Sequence, residues 1–123
     1  MVYIELKDLE VYKNSRKLSE WSWNLYSWLN FENKKIIWEQ FIRASDSIWA
    51  NIAEWYGRFW YKDTIKFYYY SRWSLFETKH WVQLMKERNL IDWNIFDEMI
   101  KTIDIIWFQI NKLITSLKNT NQK

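Results

Sequence analysis

The 123-residue sequence contains no cysteine, no proline, one histidine and one glycine. Without cysteine the chain can form neither a disulfide framework nor a thiolate site, and a lone His80 excludes a metal site built from clustered histidines. The absence of proline removes the strongest helix breaker. No apolar run approaches the roughly 18 residues of a membrane span, and the first residues lack the pattern of a signal peptide. We therefore expect a cytoplasmic protein with no metal, no cofactor and no membrane partner.

Arrangements of residues that could carry catalysis are also missing. Ser47 has no histidine at helical spacing, and His80 has no cysteine or carboxylate partner nearby in the sequence. No glycine-rich phosphate loop is present. The sequence therefore predicts a protein that is not an enzyme and has no catalytic residues. The net charge of +3 permits an anionic partner without requiring one.

Apolar residues recur at helical spacing through nearly the whole chain. The clearest case is the C-terminal segment, where Asp92 or Asn94 can cap the start of a helix. Its apolar residues alternate intervals of three and four, a pattern typical of a helix in a bundle. They are Phe96, Met99, Ile103, Ile106, Ile110, Leu113 and Leu117.

Short polar breaks divide the chain into four such segments. Gly57 follows the second segment, where a glycine suits a left-handed C-terminal position, and Asp63 or Thr64 can cap the third. Four helices with short loops favour an all-α fold, an antiparallel up-down-up-down four-helix bundle formed as a single domain over residues 1–123. The predicted helices span about residues 8–29, 35–56, 63–88 and 93–118, and residues 119–123 form a frayed tail.

The second predicted helix carries a polar stripe directly beside an apolar one. At about 100° per residue, five polar side chains fall within an arc of about 80°. A polar stripe next to a core face indicates an internal hydrogen-bonded network, in which Arg43 pairs with Glu54 or with Glu77 of the third helix. The alternative is a binding or catalytic site. The stripe consists of Arg43, Ser47, Asn51, Glu54 and Arg58.

Basic and aromatic residues alternate in "GRFWYKDTIKFYYYSR" (57–72), where Asp63 is the one acid. The C-terminal stretch from Asn111 is also basic and contains no acid. Such side chains together neutralise phosphates and stack on bases. The alternative is that the aromatic residues pack inside the bundle or between subunits. The candidate nucleic-acid-binding residues are Arg58, Lys62, Lys66, Arg72, Lys112 and Lys118.

Three stretches carry a family resemblance: "DLEVYKNSRKL", "QFIRASDSIxANIAExYGR" and "KFYYYSRxSLFETK". With the closing amphipathic helix, they resemble a family of four-helix bundles encoded within intervening sequences of bacterial 23S rRNA genes, to which accessory proteins of diversity-generating retroelements are related. The resemblance covers about residues 8–118. It implies a homo-oligomer, commonly a pentamer, with basic surfaces proposed to bind nucleic acid. Two functions follow as expectations: a non-catalytic RNA- or DNA-binding homo-oligomer, or a protein-interaction scaffold, for example for a reverse transcriptase or a ribosome-associated factor.

The sequence departs from the family pattern at its tryptophans. The family has glycine at Trp55 and Trp73, and commonly at Trp38 and Trp49, while this chain has eleven tryptophans and one glycine. Glycine makes up about 7% of an average protein. Because some bacterial lineages read the UGA codon as glycine and a common alternative code reads it as tryptophan, we interpret these four tryptophans as glycines in the native protein. The alternative is a genuine aromatic-rich surface, and TGG codons at the four positions would contradict the recoding.

Two other tryptophans lie where the family tolerates aromatic residues. We therefore expect Trp23 and Trp81 to be native and to pack in the core.

Overall fold

The computed structural model describes residues 5–27, 32, 34–58 and 64–121. A 3-10 turn, Leu6–Asp8, precedes the first helix, and a π-helical segment, Lys34–Trp38, leads directly into the second. Nowhere in this part of the chain is there a β-strand, so the predicted all-α fold is confirmed. The four α-helices are α1 (Glu10–Ser27), α2 (Glu39–Gly57), α3 (Lys66–Glu87) and α4 (Trp93–Asn121).

Contacts between neighbouring helices fix their directions. In each neighbouring pair, residue numbers rise along one helix as they fall along the other, which is the register of antiparallel packing. The pairs Ser19–Asp46 and Ser22–Ser45 show this for α1 and α2, Ser71–Ile48 and Ser74–Ser47 for α2 and α3, and Arg72–Asn111 and Lys79–Asp104 for α3 and α4. A contact between Asn14 and Gln109 joins α1 to α4 and closes the ring of helices. The four helices therefore alternate in direction along the chain, as in an up-down-up-down bundle.

The apolar pattern of the C-terminal segment forms one wall of the core. Its middle positions, Met99, Ile103, Ile106 and Ile110, are at most 1% exposed. Phe96, Leu113 and Leu117, at the two ends of the pattern, are partly buried against the core. The spacing therefore predicted the inward face of α4 correctly, and burial decreases towards its ends.

The helix ends differ in part from the sequence prediction. Asp92 caps α4 as expected, because its carboxylate accepts a hydrogen bond from the Ile95 N–H at 2.8 Å. The prediction for Gly57 was wrong: this residue is the last of α2, its φ is not positive, and no neighbouring part of the structure outside its own stretch of helix crowds the place of a Cβ. Among the described residues, a left-handed conformation is found instead at Asn89, with φ 59°, two residues after the end of α3.

The start of α3 carries no side-chain cap. Its N-cap is Ile65, so Thr64 does not cap the helix as the sequence suggested, and Asp63 lies outside the described residues. Over the described residues, none of the helices is both long and apolar enough to cross a membrane.

Candidate nucleic-acid interface

Five of the six candidate cations lie in the described part of the chain, and Lys62 lies outside it. Because neighbouring helices are antiparallel, the end of α2, the start of α3 and the end of α4 meet at one end of the bundle. We call this the basic end. It brings together four of the candidates: Arg58 directly after α2, Lys66 and Arg72 on α3, and Lys118 on α4. Lys112 is exposed on α4, six residues before Lys118.

Cations and rings alternate along the seam between α3 and α4. The Lys118 Nζ lies 5.6 Å from the centre of the Tyr69 ring, and the Arg72 guanidinium lies 5.0 Å from the same ring. Arg72 also lies 5.6 Å from the ring of Trp107, which contacts Phe76 at a centroid distance of 4.6 Å. We call this series the cation–aromatic ladder. Each cation–π contact at an exposed site is worth about 0.5–1 kcal/mol, enough to favour one orientation of the cation.

Arg72 is the best oriented cation of the ladder. It is half-buried, and its Nη1 donates a hydrogen bond of 2.8 Å to the Asn111 Oδ1. A guanidinium has five N–H donors in a rigid fork that suits phosphate oxygens. The contact with Asn111 uses one of them, so Arg72 is held in position with donors left for an anion.

Arg58 differs from the other cations because a carboxylate already neutralises it. Its Nε lies 2.7 Å from the Glu54 Oε1, and its guanidinium lies 5.5 Å from the centre of the Phe67 ring. Lys66 approaches the same ring at 5.4 Å. Glu54 was expected to pair with Arg43, but the structure pairs it with Arg58. The basic end therefore contains Glu54 at its α2 side, and at its α1 side Glu5, Asp8 and Glu10, of which Glu5 pairs with Lys7 and Glu10 with Lys13.

Along the start of α3 and the end of α4, the basic end is not compensated by acids. The sequence has no acidic residue from Thr64 to Phe76, and none after Asp104. Within the described residues, the four salt bridges involve none of Lys66, Arg72, Lys112 and Lys118. Their positive charge is available to an external anion.

The predicted polar network of α2 is only partly brought together. The Asn51 Nδ2 donates to the Ser47 carbonyl oxygen at 2.9 Å and to the Ser47 Oγ at 3.1 Å. Ser74 of α3 completes this group, since its Oγ donates to the Ser47 Oγ at 2.9 Å. Arg43 and Glu77 are exposed, and no hydrogen bond or ion pair joins either one to the group in the part of the chain described. The three linked residues hold α2 to α3.

The four tryptophans interpreted as recoded glycines lie in different surroundings. Trp38 is fully buried and contacts Phe41, and Trp55 is buried against Tyr68 with ring centroids 4.7 Å apart. Trp49 is half-buried, and its Nε1 donates to the Ser19 Oγ at 3.2 Å. Trp73 is exposed. Two of the four therefore belong to the core and two do not.

The expectation for Trp23 was wrong. It is an exposed residue stacked on Tyr26, whereas Trp81 is half-buried and packs against the core. Sequence spacing placed Trp23 on α1 but did not show that its face is turned away from the other helices.

The described residues contain no group of three or more His, Cys, Asp or Glu side chains that could hold a metal ion. Burial raises the pKa of the Tyr68 phenol well above the ordinary value. The ring of this neutral phenol packs in the core against Trp55.

Comparison with known proteins agrees with this architecture. The sequence model of the family described as 23S rRNA-intervening sequence protein matches residues 7–112. The chain belongs to this family. The region matched to the 23S rRNA-intervening sequence proteins contains four of the described candidate cations of this chain, while Lys118 lies beyond it.

A solved structure shows the same fold. A protein of unknown function from the S23 ribosomal protein family of Bacteroides thetaiotaomicron is similar with a TM-score of 0.78 and 23% sequence identity, over 85% of this chain and 97% of that chain. At this identity the likeness concerns the fold. No curated protein matches the chain.

Proposed function

We propose that this 23S rRNA-intervening sequence protein is a non-catalytic homo-oligomer that binds RNA or DNA through its basic end. One observation carries the proposal: two helices place Lys66, Arg72 and Lys118 against half-buried rings, with no carboxylate paired to them among the described residues. Phosphates need such uncompensated cations, and bases need such rings.

The geometry suits contacts with the nucleic-acid backbone. The remaining donors of Arg72 suit phosphate oxygens, and the Arg72–Asn111 contact uses the amide oxygen of Asn111, an acceptor that a base edge would need. Backbone contacts give affinity that depends strongly on salt and little on sequence. We expect this type of binding.

Assembly into a homo-oligomer would strengthen this binding to nucleic acid. Each subunit of a homo-oligomer contributes one basic end, and linked sites bind a long strand far more tightly than one site does. Exposed apolar side chains on α4, including Ile105 and Phe108, support subunit contacts in this protein.

The test is fluorescence anisotropy with a labelled mixed-sequence RNA at several salt concentrations, about 50 to 200 mM. The variant Lys66→Ala/Lys118→Ala removes two charges from the basic end. Its matched control, Arg88→Ala/Lys101→Ala, removes two exposed charges elsewhere. We expect the first variant to bind more weakly and to lower the salt slope by about 1.4, since each phosphate contact on a single strand contributes about 0.7.

Equal effects of the two variants would show that general charge, and not the basic end, attracts RNA. Absence of binding even at low salt would contradict the proposal and favour the alternative, a protein-interaction scaffold without direct nucleic-acid binding. Exposed Phe108 supports that alternative, whose partner binding would change little with salt. A gene inside an rRNA intervening sequence, or beside a reverse transcriptase, would also discriminate between the ribosome-associated and retroelement roles.

A further inference from the structure

Three exposed rings follow one another across the outer face of α3. Tyr70, Trp73 and Phe76 are 39%, 60% and 53% exposed, and the first two contact each other at a centroid distance of 5.6 Å. Because position 73 is one of those interpreted as recoded, Tyr70 and Phe76 are the two rings of this face that do not depend on that interpretation. Each step of three residues advances about 4.5 Å along a helix and turns back by about 60°. The three rings therefore form an oblique line from the α2 side of α3 to the α4 side, which we call the aromatic line.

Both ends of the aromatic line meet cations of the basic end. At its start, Tyr70 contacts Phe67 at 5.9 Å, and Lys66 lies over the Phe67 ring. At its far end, Phe76 contacts Trp107, over which the Arg72 guanidinium lies. A strand that crosses the rings would thus find a cation for its phosphates at each side.

We infer that the aromatic line stacks unpaired bases, so that the basic end selects single-stranded nucleic acid over duplex; this inference rests on the proposed function. In a duplex the faces of the bases are covered by their neighbours, and only phosphates reach the protein. A single strand offers both phosphates and free base faces. The line spans about 9 Å along the helix, the reach of two to three nucleotides at about 3.4 Å per phosphate.

Charge argues against an isologous contact of this face with a second copy of the chain. An isologous contact would bring Lys66 and Arg72 close to the same residues of the other copy, and no acid between Thr64 and Phe76 would offset the repulsion. An anionic strand removes that repulsion.

The experiment compares three probes: an oligouridine of about 12 nucleotides, the matching oligodeoxythymidine, and an RNA hairpin whose stem has about the same number of base pairs. The test variant is Tyr70→Ala/Phe76→Ala, which avoids the positions interpreted as recoded. Trp93→Ala is the control, because Trp93 is an equally exposed ring at the opposite end of the bundle. Anisotropy gives the affinities and salt slopes, and light scattering gives the mass of each variant.

We expect the unmodified protein to bind both single strands at least about tenfold more tightly than the hairpin stem, as stacking of one or two bases would give. Tyr70→Ala/Phe76→Ala removes two of the three rings and should clearly weaken that preference, while its salt slope, its hairpin affinity and its mass stay unchanged; an undiminished preference would overturn the inference. Trp93→Ala should behave like the unmodified protein. If Tyr70→Ala/Phe76→Ala lost its binding to the oligouridine but still bound the oligodeoxythymidine more tightly than the hairpin, the result would contradict a mechanism based on stacking.

Equal binding of single strands and hairpin by the unmodified protein would overturn the inference and leave the proposed function standing. A lower mass for Tyr70→Ala/Phe76→Ala would assign the aromatic line to subunit contacts and also overturn it. Failure of all three probes to bind at low salt would instead remove the proposed function itself.

Discussion

Two polar atoms in the core have no hydrogen-bond partner among the described residues: the indole N–H of Trp38 and the hydroxyl of Tyr68. More than nine in ten buried polar groups in native proteins are paired, and an unpaired one costs about 1–3 kcal/mol. One of these atoms belongs to a tryptophan interpreted as recoded, and the other to a ring packed on Trp55, a second such residue. Indoles that occupy contacts shaped for glycine would produce this pattern, so it supports the recoding hypothesis.

The first prediction compares Trp55→Gly with Trp81→Gly, because both sites are helical and share the glycine penalty of about 1 kcal/mol. If position 55 is natively glycine, the indole overpacks the contact with Tyr68, at a cost of about 1–3 kcal/mol. We expect Trp55→Gly to leave the free energy of unfolding unchanged or to raise it, and Trp81→Gly to lower it by at least about 2 kcal/mol. Thermal and urea unfolding measure both.

If the two variants lose stability alike, Trp55 is a native core residue and the recoding is wrong. Trp73 is a poor site for this test, because at 60% exposure helix propensity outweighs packing.

The second prediction concerns the buried phenol of Tyr68. Burial raises its pKa in the folded protein, so the unfolded chain releases this proton first, near pH 10. The free energy of unfolding is therefore independent of this group below about pH 10 and falls as the pH rises above it. Tyr68→Phe should remove that part of the decline and, since it deletes an unpaired hydroxyl, raise stability at neutral pH by about 1 kcal/mol.

Urea unfolding at about pH 8 and about pH 11 would measure both effects. Tyr70→Phe is the control, because its exposed ring should change neither. A Tyr68→Phe variant that is less stable at neutral pH would show that the hydroxyl makes a favourable interaction.

At the scale of elements, periodicity predicted what depends on a single helix. The intervals from Phe96 to Leu117 gave the buried face of α4, and the sequence named Asp92 or Asn94 as its cap because capping is local chemistry; the structure has Asp92. The end of α2 was harder, since glycine permits a left-handed residue without requiring one. Arg58 continues the turn with φ −110°, and its N–H bonds to the carbonyl oxygens of the last turn.

Which side chains contact a neighbouring helix was harder to predict from the sequence. A helical wheel placed Ser47, Asn51 and Arg43 on one stripe, but it does not show where the neighbouring helix ends. α3 covers Ser47 through Ser74, while Arg43 stays in solvent. Buried serines have the same origin: Ser45 contacts Ser22 of α1 at 3.0 Å, and Ser71 of α3 donates to the Ile48 carbonyl oxygen at 2.8 Å. Small polar side chains at these positions let α2 approach both neighbours, a pairing that only the assembled fold reveals.

In the candidate nucleic-acid interface, too, the sequence predicted features of single segments but not the contacts between helices. Composition identified the cations, because a basic stretch without acids is visible in the sequence. Their grouping was not visible: Lys118 is 49 residues from Tyr69 in the chain but contacts it across the seam of α3 and α4. The aromatic residues Trp107 and Phe76 of the ladder were missed for the same reason, although their helical spacing from Asn111 and Arg72 is the signal that would have found them.

At the scale of the whole molecule, the up-down order groups the candidate cations at the end where α3 begins and α4 finishes. The salt bridges of Glu5, Glu10 and Glu54 with Lys7, Lys13 and Arg58 occupy the described acids of that end apart from Asp8. At the opposite end Arg88 and Lys101 lie among Glu87, Asp92, Asp97 and Glu98. A modest net charge therefore leaves an excess of positive charge at the basic end, and such fields attract polyanions at distances set by the ionic strength.

The last prediction is that the protein assembles. Aromatic residues make up 21% of the chain, and large apolar side chains remain exposed on the described helices, including Ile105 and Phe108 on the outer face of α4. These two are three residues apart, so they share a face, and neither belongs to the cation–aromatic ladder. Contiguous exposed apolar surface of this kind is typical of subunit contacts.

Light scattering should return a multiple of the 15.6 kDa chain mass, and the family resemblance makes five the expected multiple. Ile105→Asp/Phe108→Asp should reduce that mass, because a carboxylate buried in an apolar contact is strongly unfavourable, whereas Trp93→Asp at the opposite end should not. A monomer mass for the unmodified protein at micromolar concentration would contradict assembly, and each basic end would then have to bind a strand without the gain that linked sites provide.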